Sequence, residues 1–398
     1  MRPLSSKLWI GLTTIVFMIM ACALPGSVTP TATTVVLPPT EIPVTPTPIA
    51  ATATVLPPTP FFPVVASPQI DSFYMLDASN GWAISDTSVL RTIDGGTTWY
   101  NVTPSGVSSL GVRASSFYLD ASTAWVALMG TDPTNGTLYR TTDGGATWTS
   151  VTVPFGGGWI KFVDPSNGWD LVGLSAGMSH QAVAVFTTSD GGNTWSQVFI
   201  DDPTVTGSSD TLPLVGDKNG ITALDTNHAW VTGAQPSSDF VYIYMSQDGG
   251  HTWAHQNVAI PSAYAGGMTS ANLPIFFGST TGVLPVILIA NSNGVVFYIS
   301  QDAGQTWTAS QPVPQGGFTS VASPADFFVW DGGTTLNASH DSGSTWSTVT
   351  PNINVQNNLA SFQFVDSNTG WALTEDASRH HSLFKTSNGG ATWTALIP

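Results

Sequence analysis

The sequence predicts an all-β fold, a seven-bladed β-propeller of four-stranded antiparallel blades, and three observations carry that prediction. The motif S/T-x-D-x-G-x-T-W occurs seven times, starting at Thr92, Thr141, Thr188, Ser246, Ser300, Ser339 and Thr386. The copies begin 39 to 58 residues apart, the period of a modular array. A second element, a short turn ending in Trp, stands upstream of most copies, and strand-like segments flank both.

The second element is Asp77-Ala-Ser-Asn-Gly-Trp82, Asp120-Ala-Ser-Thr-Ala-Trp125, Asp164-Pro-Ser-Asn-Gly-Trp169, Asp225-Thr-Asn-His-Ala-Trp230 and Asp366-Ser-Asn-Thr-Gly-Trp371. It is degenerate in the fifth and sixth repeats, at Ser279-Thr-Thr-Gly282 and Ser323-Pro-Ala-Asp326. Apolar or alternating segments such as Phe73-Tyr-Met-Leu76 and Phe362-Gln-Phe-Val365 precede these turns. β-Branched and aromatic segments such as Val241-Tyr-Ile-Tyr-Met245 precede the Asp-bearing ones, whose D-G-G core signals a hairpin. Each repeat therefore reads strand, turn, strand, loop, strand, Asp-bearing turn, strand. No helical period interrupts the series.

The Asp-bearing turns are expected to be structural. The carboxylates of Asp94, Asp143, Asp190, Asp248, Asp302 and Asp341, and the preceding Ser or Thr hydroxyl, can accept hydrogen bonds from turn N–H groups. The seventh copy has Asn388, whose amide can do the same. The invariant second glycine suits a positive φ, and the Trp suits a wedge between neighbouring sheets.

Composition divides the chain at residues 1–22, 23–66 and 67–398. The first part carries Arg2 and Lys7 and an apolar run from Leu8 to Met20, the form of an export signal. It ends Ile19-Met20-Ala21-Cys22, which resembles a lipobox, so Cys22, the only cysteine, is the expected lipidation site; the alternative is an uncleaved membrane anchor. Either form places the remainder outside a bacterial membrane, without disulfides. Residues 25–68 hold twelve prolines and one charge, Glu41, and are expected to be a disordered stalk. At about 3.1 Å per residue it could reach on the order of 100 Å. Beyond the signal, seven cations face 25 acidic residues, which argues against nucleic acid and anionic lipid headgroups as partners. His180, His228, His251, His255 and His340 lack metal-ligand spacing; neither a metal nor a cofactor is expected, and a monomer is.

The strand order places the short turns and the Asp-bearing turns on one face. Blade-to-blade connections and second–third loops lie on the other, where lengths vary, and that face is the expected partner site. Candidate binding residues are Arg113 and Lys161, near the innermost strands of the second and third repeats, and Asp170, which follows Trp169 where other repeats have Ala or Val. Glu375, Arg379 and His380 share one loop with His381. Trp159, after three glycines, is either an exposed aromatic or another inter-blade wedge.

The Asp-bearing turns resemble the Asp-box (BNR) repeats of sialidases, xyloglucanases and sortilin-type receptors. Combined with the upstream D-x-x-x-G-W element, they are most similar to the photosystem II stability/assembly factor-like propellers, across essentially all of residues 69–398. That resemblance implies a seven-bladed scaffold for protein partners. The family's basic contact patch has few cations here to be built from, so the scaffold role carries over and the photosystem does not. A sialidase likeness would imply three arginines, a Tyr–Glu nucleophile pair and an Asp acid/base. Arg91 and Arg140 lie on strands leading into turns, and Glu375 is the sole glutamate after residue 68, so that set cannot be assembled. The expected function is a non-catalytic binding or assembly scaffold for a protein or cell-surface glycan; the alternative is a glycoside hydrolase of Asp-box type.

Overall fold

The computed structural model describes residues 62–397, apart from 111–113, 131–133, 178–179, 236–238, 291–292 and 357. Arg113, Cys22 and nearly all of the expected stalk lie outside the described residues. Among the described residues the structure is all-β, with a single 3-10 turn at Ser262–Tyr264 and no α-helix.

Each repeat is a meander in which the first strand pairs with the second, the second with the third and the third with the fourth, all antiparallel. In the first repeat these are Ser72–Met75, Gly81–Ile84, Val89–Thr92 and Trp99–Asn101. The middle strands are the enclosed ones: Gly81–Ile84, Tyr242–Ser246 and Phe327–Trp330 are buried throughout, because both faces of each sheet are covered by neighbouring repeats. Apolar clusters accordingly mix residues of consecutive repeats, as where Trp169, Leu171 and Val183 pack with Ile221, Val231 and Tyr242. The arrangement is that of a β-propeller.

The Asp-bearing turns fold as their composition implies. The Thr92 hydroxyl donates to Asp94 Oδ1 at 2.9 Å and accepts from Gly96 N at 2.8 Å, and Thr98 N donates to Asp94 Oδ1 at 2.8 Å. In the next five copies a Thr hydroxyl also donates to the second carboxylate oxygen at 2.6–2.7 Å. Asn388 accepts from the Thr386 hydroxyl and Thr392 N, and its Nδ2 donates to the Thr392 hydroxyl. Hydroxyl and N–H donation from Thr306 and Thr345 pulls Asp302 and Asp341 down to about 2. The residue after each Asp (or Asn388) donates its N–H to the upstream turn of its own repeat, from Gly95 N to Ser79 O through Gly389 N to Asn368 O. Both kinds of turn therefore share one rim, as expected.

The second glycine of each Asp-bearing turn has φ between +75° and +94°. It also marks where one repeat presses on the preceding one. A Cβ on Gly250 would lie 2.8 Å from Trp169, and one on Gly96, in the first repeat, would touch Leu396, Leu383 and Trp371 of the last. The second-strand tryptophans join the same junctions more deeply than the Asp-turn tryptophans to which the wedge role was assigned. Trp82, Trp125, Trp169 and Trp371 are at most 1% exposed. Their Nε1 groups donate to carbonyls of the following repeat at Asp120, Gly191, Asp225 and, across the seam, Gly95. Several Asp-turn tryptophans, such as Trp148 and Trp346, are only half-buried.

Two features depart from seven separate four-stranded sheets. The connection between the fourth and fifth repeats, expected as a loop, contains the strand Met268–Ala271. It pairs with Ala234–Gln235 on one side and Val286–Ile289 on the other, fusing those repeats into one nine-stranded sheet. The first repeat gains a fifth, outer strand: Val64 and Val65 pair with Tyr100 and Trp99, upstream of the expected boundary at residue 67. The last repeat supplies all four of its own strands, so the first and last repeats meet through side chains rather than a shared strand. Gln363 accepts from Met75 N at 2.8 Å and donates to Met75 O at 2.9 Å. Ile70 lies in one cluster with Met75, Leu90 and Trp99 on one side and Trp371, Leu373, Leu383 and Ile397 on the other.

Candidate functional site

The seam between the last and first repeats also carries a group of charged side chains on the variable rim. Glu375 ends the second strand of the last repeat, His381 begins the third, and residues 376–380 connect them. Asp376 Oδ1 accepts from Ser378 N and His380 N, and its other oxygen lies 3.4 Å from His380 Nδ1. The His380 backbone N–H holds Asp376 below the usual carboxylate range. Arg379 has φ +63°, which turns the chain sharply and leaves its side chain exposed.

His381 is the centre of the group. Its side chain is 12% exposed, with Nε2 3.7 Å from Glu375 and Nδ1 3.3 Å from Asp71 of the first repeat. The Asp71 contact is within ion-pair reach but lacks the alignment of a hydrogen bond. His381 N donates to Gln69 at 3.4 Å, fixing the imidazole over the seam. Burial and then repulsion from Asp86 raise the Asp71 carboxyl, and His381 opposes them. The result is an imidazole between two half-exposed carboxylates on a rigid seam, a geometry suited to holding a cationic or hydrogen-bond-donating group of a partner.

The expected candidates therefore divide. Glu375, Arg379 and His380 share the seam loop, and His381 draws in Asp71, which sequence reasoning missed because the two stand 310 residues apart in the chain. Lys161 lies on the innermost strand Trp159–Phe162, but its Nζ sits 4.8 Å from the Phe117 ring centre, and burial lowers its pKa. Trp159 packs against Gly220 of the next repeat and the apolar cluster there, so it is an inter-repeat wedge. Asp170, a candidate binding residue, is instead fully enclosed, at 0% exposed. Its cross-strand neighbours Ile160 and Phe186 belong to an apolar cluster between the second and third repeats. Neither carboxylate oxygen has a hydrogen-bond partner among the described residues, and burial raises its pKa well above the usual value.

Lys218 was also missed. It is 3% exposed, and its Nζ donates to the carbonyls of Gln181, Pro213, Leu214 and Gly216 at 2.7–3.2 Å. Burial pushes it down to about 8 and pushes the neighbouring Asp201 up to about 6. A single lysine closing a long insertion was its only sequence signal. Among the described residues no cluster of His, Cys, Asp or Glu has the arrangement of a metal site.

Two cavities, of about 350 and 310 Å³, lie on the rim of the Asp-bearing turns, opposite the seam group. They flank the turn of the fourth repeat and share Asp248. The expectation that binding geometry is confined to the variable rim does not anticipate them.

The sequence matches no family profile and no curated protein. Solved structures do resemble it. A structure of YCF48 bound to a D1 peptide superposes with a TM-score of 0.52 at 16% identity, covering 82% of this chain and 95% of that one. The GH74 xyloglucanase from Xanthomonas campestris superposes with a TM-score of 0.55 at 14% identity, covering 84% of this chain and 56% of that one. At such identities the likeness establishes the fold alone.

Proposed function

We propose that this chain is a seven-bladed propeller lipoprotein, held outside a bacterial membrane through Cys22 and its Thr/Pro-rich stalk, that binds a protein or glycan partner without catalysis. The observation that carries this reading is how the charged side chains are used. The carboxylates of the Asp-bearing turns are engaged by donors of their own turns, whereas the seam group of Asp71, Glu375, His380 and His381 clusters around a solvent-facing rim. An acidic rim on a chain of formal charge −16 favours a partner with cationic or donor groups. YCF48 with its D1 peptide supports a polypeptide partner, because it shares the fold over nearly its whole length.

Proximity labelling on intact cells, followed by capture with the purified chain, tests this. The expected result is a captured partner whose retention falls at least tenfold in Glu375→Gln combined with His381→Ala, with no turnover of a fluorogenic glycoside panel. Hydrolysis that disappears in Asp71→Asn or Glu375→Gln would replace the scaffold with a glycoside hydrolase.

A further inference from the structure

Three junctions between consecutive repeats share one device. Opposite the second-strand Trp, the third strand carries a cation: Arg91 opposite Trp82, Arg140 opposite Trp125 and Lys385 opposite Trp371. These cations lie 4.9–5.7 Å from the ring centres. Their heads cross to the following repeat, where Arg91 donates to Gly144 O, Arg140 to Pro165 O and Lys385 to Ala78 O. A Cβ added to Gly144, Gly191 or Gly95 would fall on the cationic nitrogen.

The other junctions lack the cation, with Met245 opposite Trp230, Ile299 opposite Val283 and Ala338 opposite Phe328, and the junction between the third and fourth repeats is the one of these at which a cavity opens beside the second-strand Trp. Thr187 stands opposite Trp169. A Cβ on the equivalent Gly249 meets nothing nearer than Thr226 O at 3.6 Å. The 350 Å³ cavity opens here, lined by Thr187, Thr226, Asn227, Asp248, Gly249 and His251 among others. The carbonyls of Thr226 and Gly249 correspond to those that Arg140 and Arg91 engage elsewhere, and no hydrogen bond to either is formed among the described residues. The Asn227 side chain is likewise unengaged among the described residues, and the Asp248 carboxylate adds negative charge at the edge.

We propose that this cavity takes the guanidinium of an arginine side chain presented by a partner polypeptide, in the position the chain's own arginines occupy at two other junctions. A guanidinium carries donors enough for the Thr226 and Gly249 carbonyls together, whereas the ammonium of Lys385, in the equivalent position at the seam, reaches one carbonyl. Trp169 is 1% exposed, so recognition rests on the oxygens and not on stacking. The proposal rests on the polypeptide-binding reading for its partner class, but it uses the opposite rim and different residues.

Titration calorimetry of the full chain with acetyl-Gly-Arg-Gly-amide, and with its lysine and citrulline counterparts, tests it. Saturable binding of the arginine peptide is expected, at least fivefold tighter than the lysine peptide, with none for citrulline. Thr187→Arg should abolish it, because the new side chain fills the cavity, and should raise Tm by about 1–2 °C as a fourth clasp forms. Asn227→Trp, on an exposed turn, should block the mouth independently. Thr308→Ala, on an exposed outer strand away from both sites, should leave binding unchanged. No saturable arginine binding, or full binding by folded Thr187→Arg and Asn227→Trp, overturns the proposal. Arginine binding lost only in Glu375→Gln would overturn this site while keeping the seam reading.

Discussion

Asp170→Asn is expected to stabilise the protein by about 1–3 kcal/mol at pH 8 and to leave it nearly unchanged near pH 3. The Asp170 carboxyl is fully enclosed among apolar side chains, without a hydrogen-bond partner among the described residues, and against the backbone of Gly158. Its folded pKa is raised by burial, so the folded chain keeps a proton that the unfolded chain releases. Stability linked to this group is complete below the unfolded carboxylate pKa and is lost as pH rises through the folded one. Asparagine has nearly the same shape and cannot ionise. At acid pH the amide and the neutral carboxyl carry similar desolvation costs, so the difference closes there. Urea denaturation of both proteins between pH 3 and pH 8 measures it; a gap that widens toward acid would refute the enclosed position.

Trp371→Ala is expected to cost about 3–5 kcal/mol and to loosen the seam selectively. Trp371 is 0% exposed and donates to Gly95 O at 2.9 Å across the junction between the last and first repeats, which are not consecutive in sequence. Lys385 lies 4.9 Å from its ring centre and reaches Ala78 O. Removing the indole leaves a large cavity against Gly96 and strips Lys385 of its stacking surface. Limited proteolysis should then cut within residues 62–71, whose Ile70 depends on the seam cluster. Cleavage spread evenly through all repeats would show that the ends are not a distinct junction.

How much was legible in the sequence follows from the range of each interaction. The Asp-bearing turns close within four residues, so Asp94, Thr92 and Gly96 could be assigned roles from spacing alone. The strand order followed from alternation and turn residues. The strand Met268–Ala271 was invisible because its partners lie in two different repeats and it is short and mostly polar or small in composition. Asp170 stood out because other repeats place Ala or Val after the Trp, but the sequence did not show that its slot is enclosed and apolar in this repeat too. In the seam group His381 meets Glu375 on the adjoining strand, but Asp71 only through ring closure. The cavity beside Thr187 becomes visible only when that residue is aligned, through the pairing register, with Arg91 and Arg140.

The central claim is that the repeated aspartates hold turns and perform no chemistry. A carbon-detected NMR pH titration of labelled aspartate side chains tests it most directly. Asp302 and Asp341 should titrate near 2, because threonine hydroxyl and N–H donors hold the charged form. Values near the unperturbed aspartate range, about 3.9, would mean that these carboxylates are free of their turns, and the clasp assignment would fail.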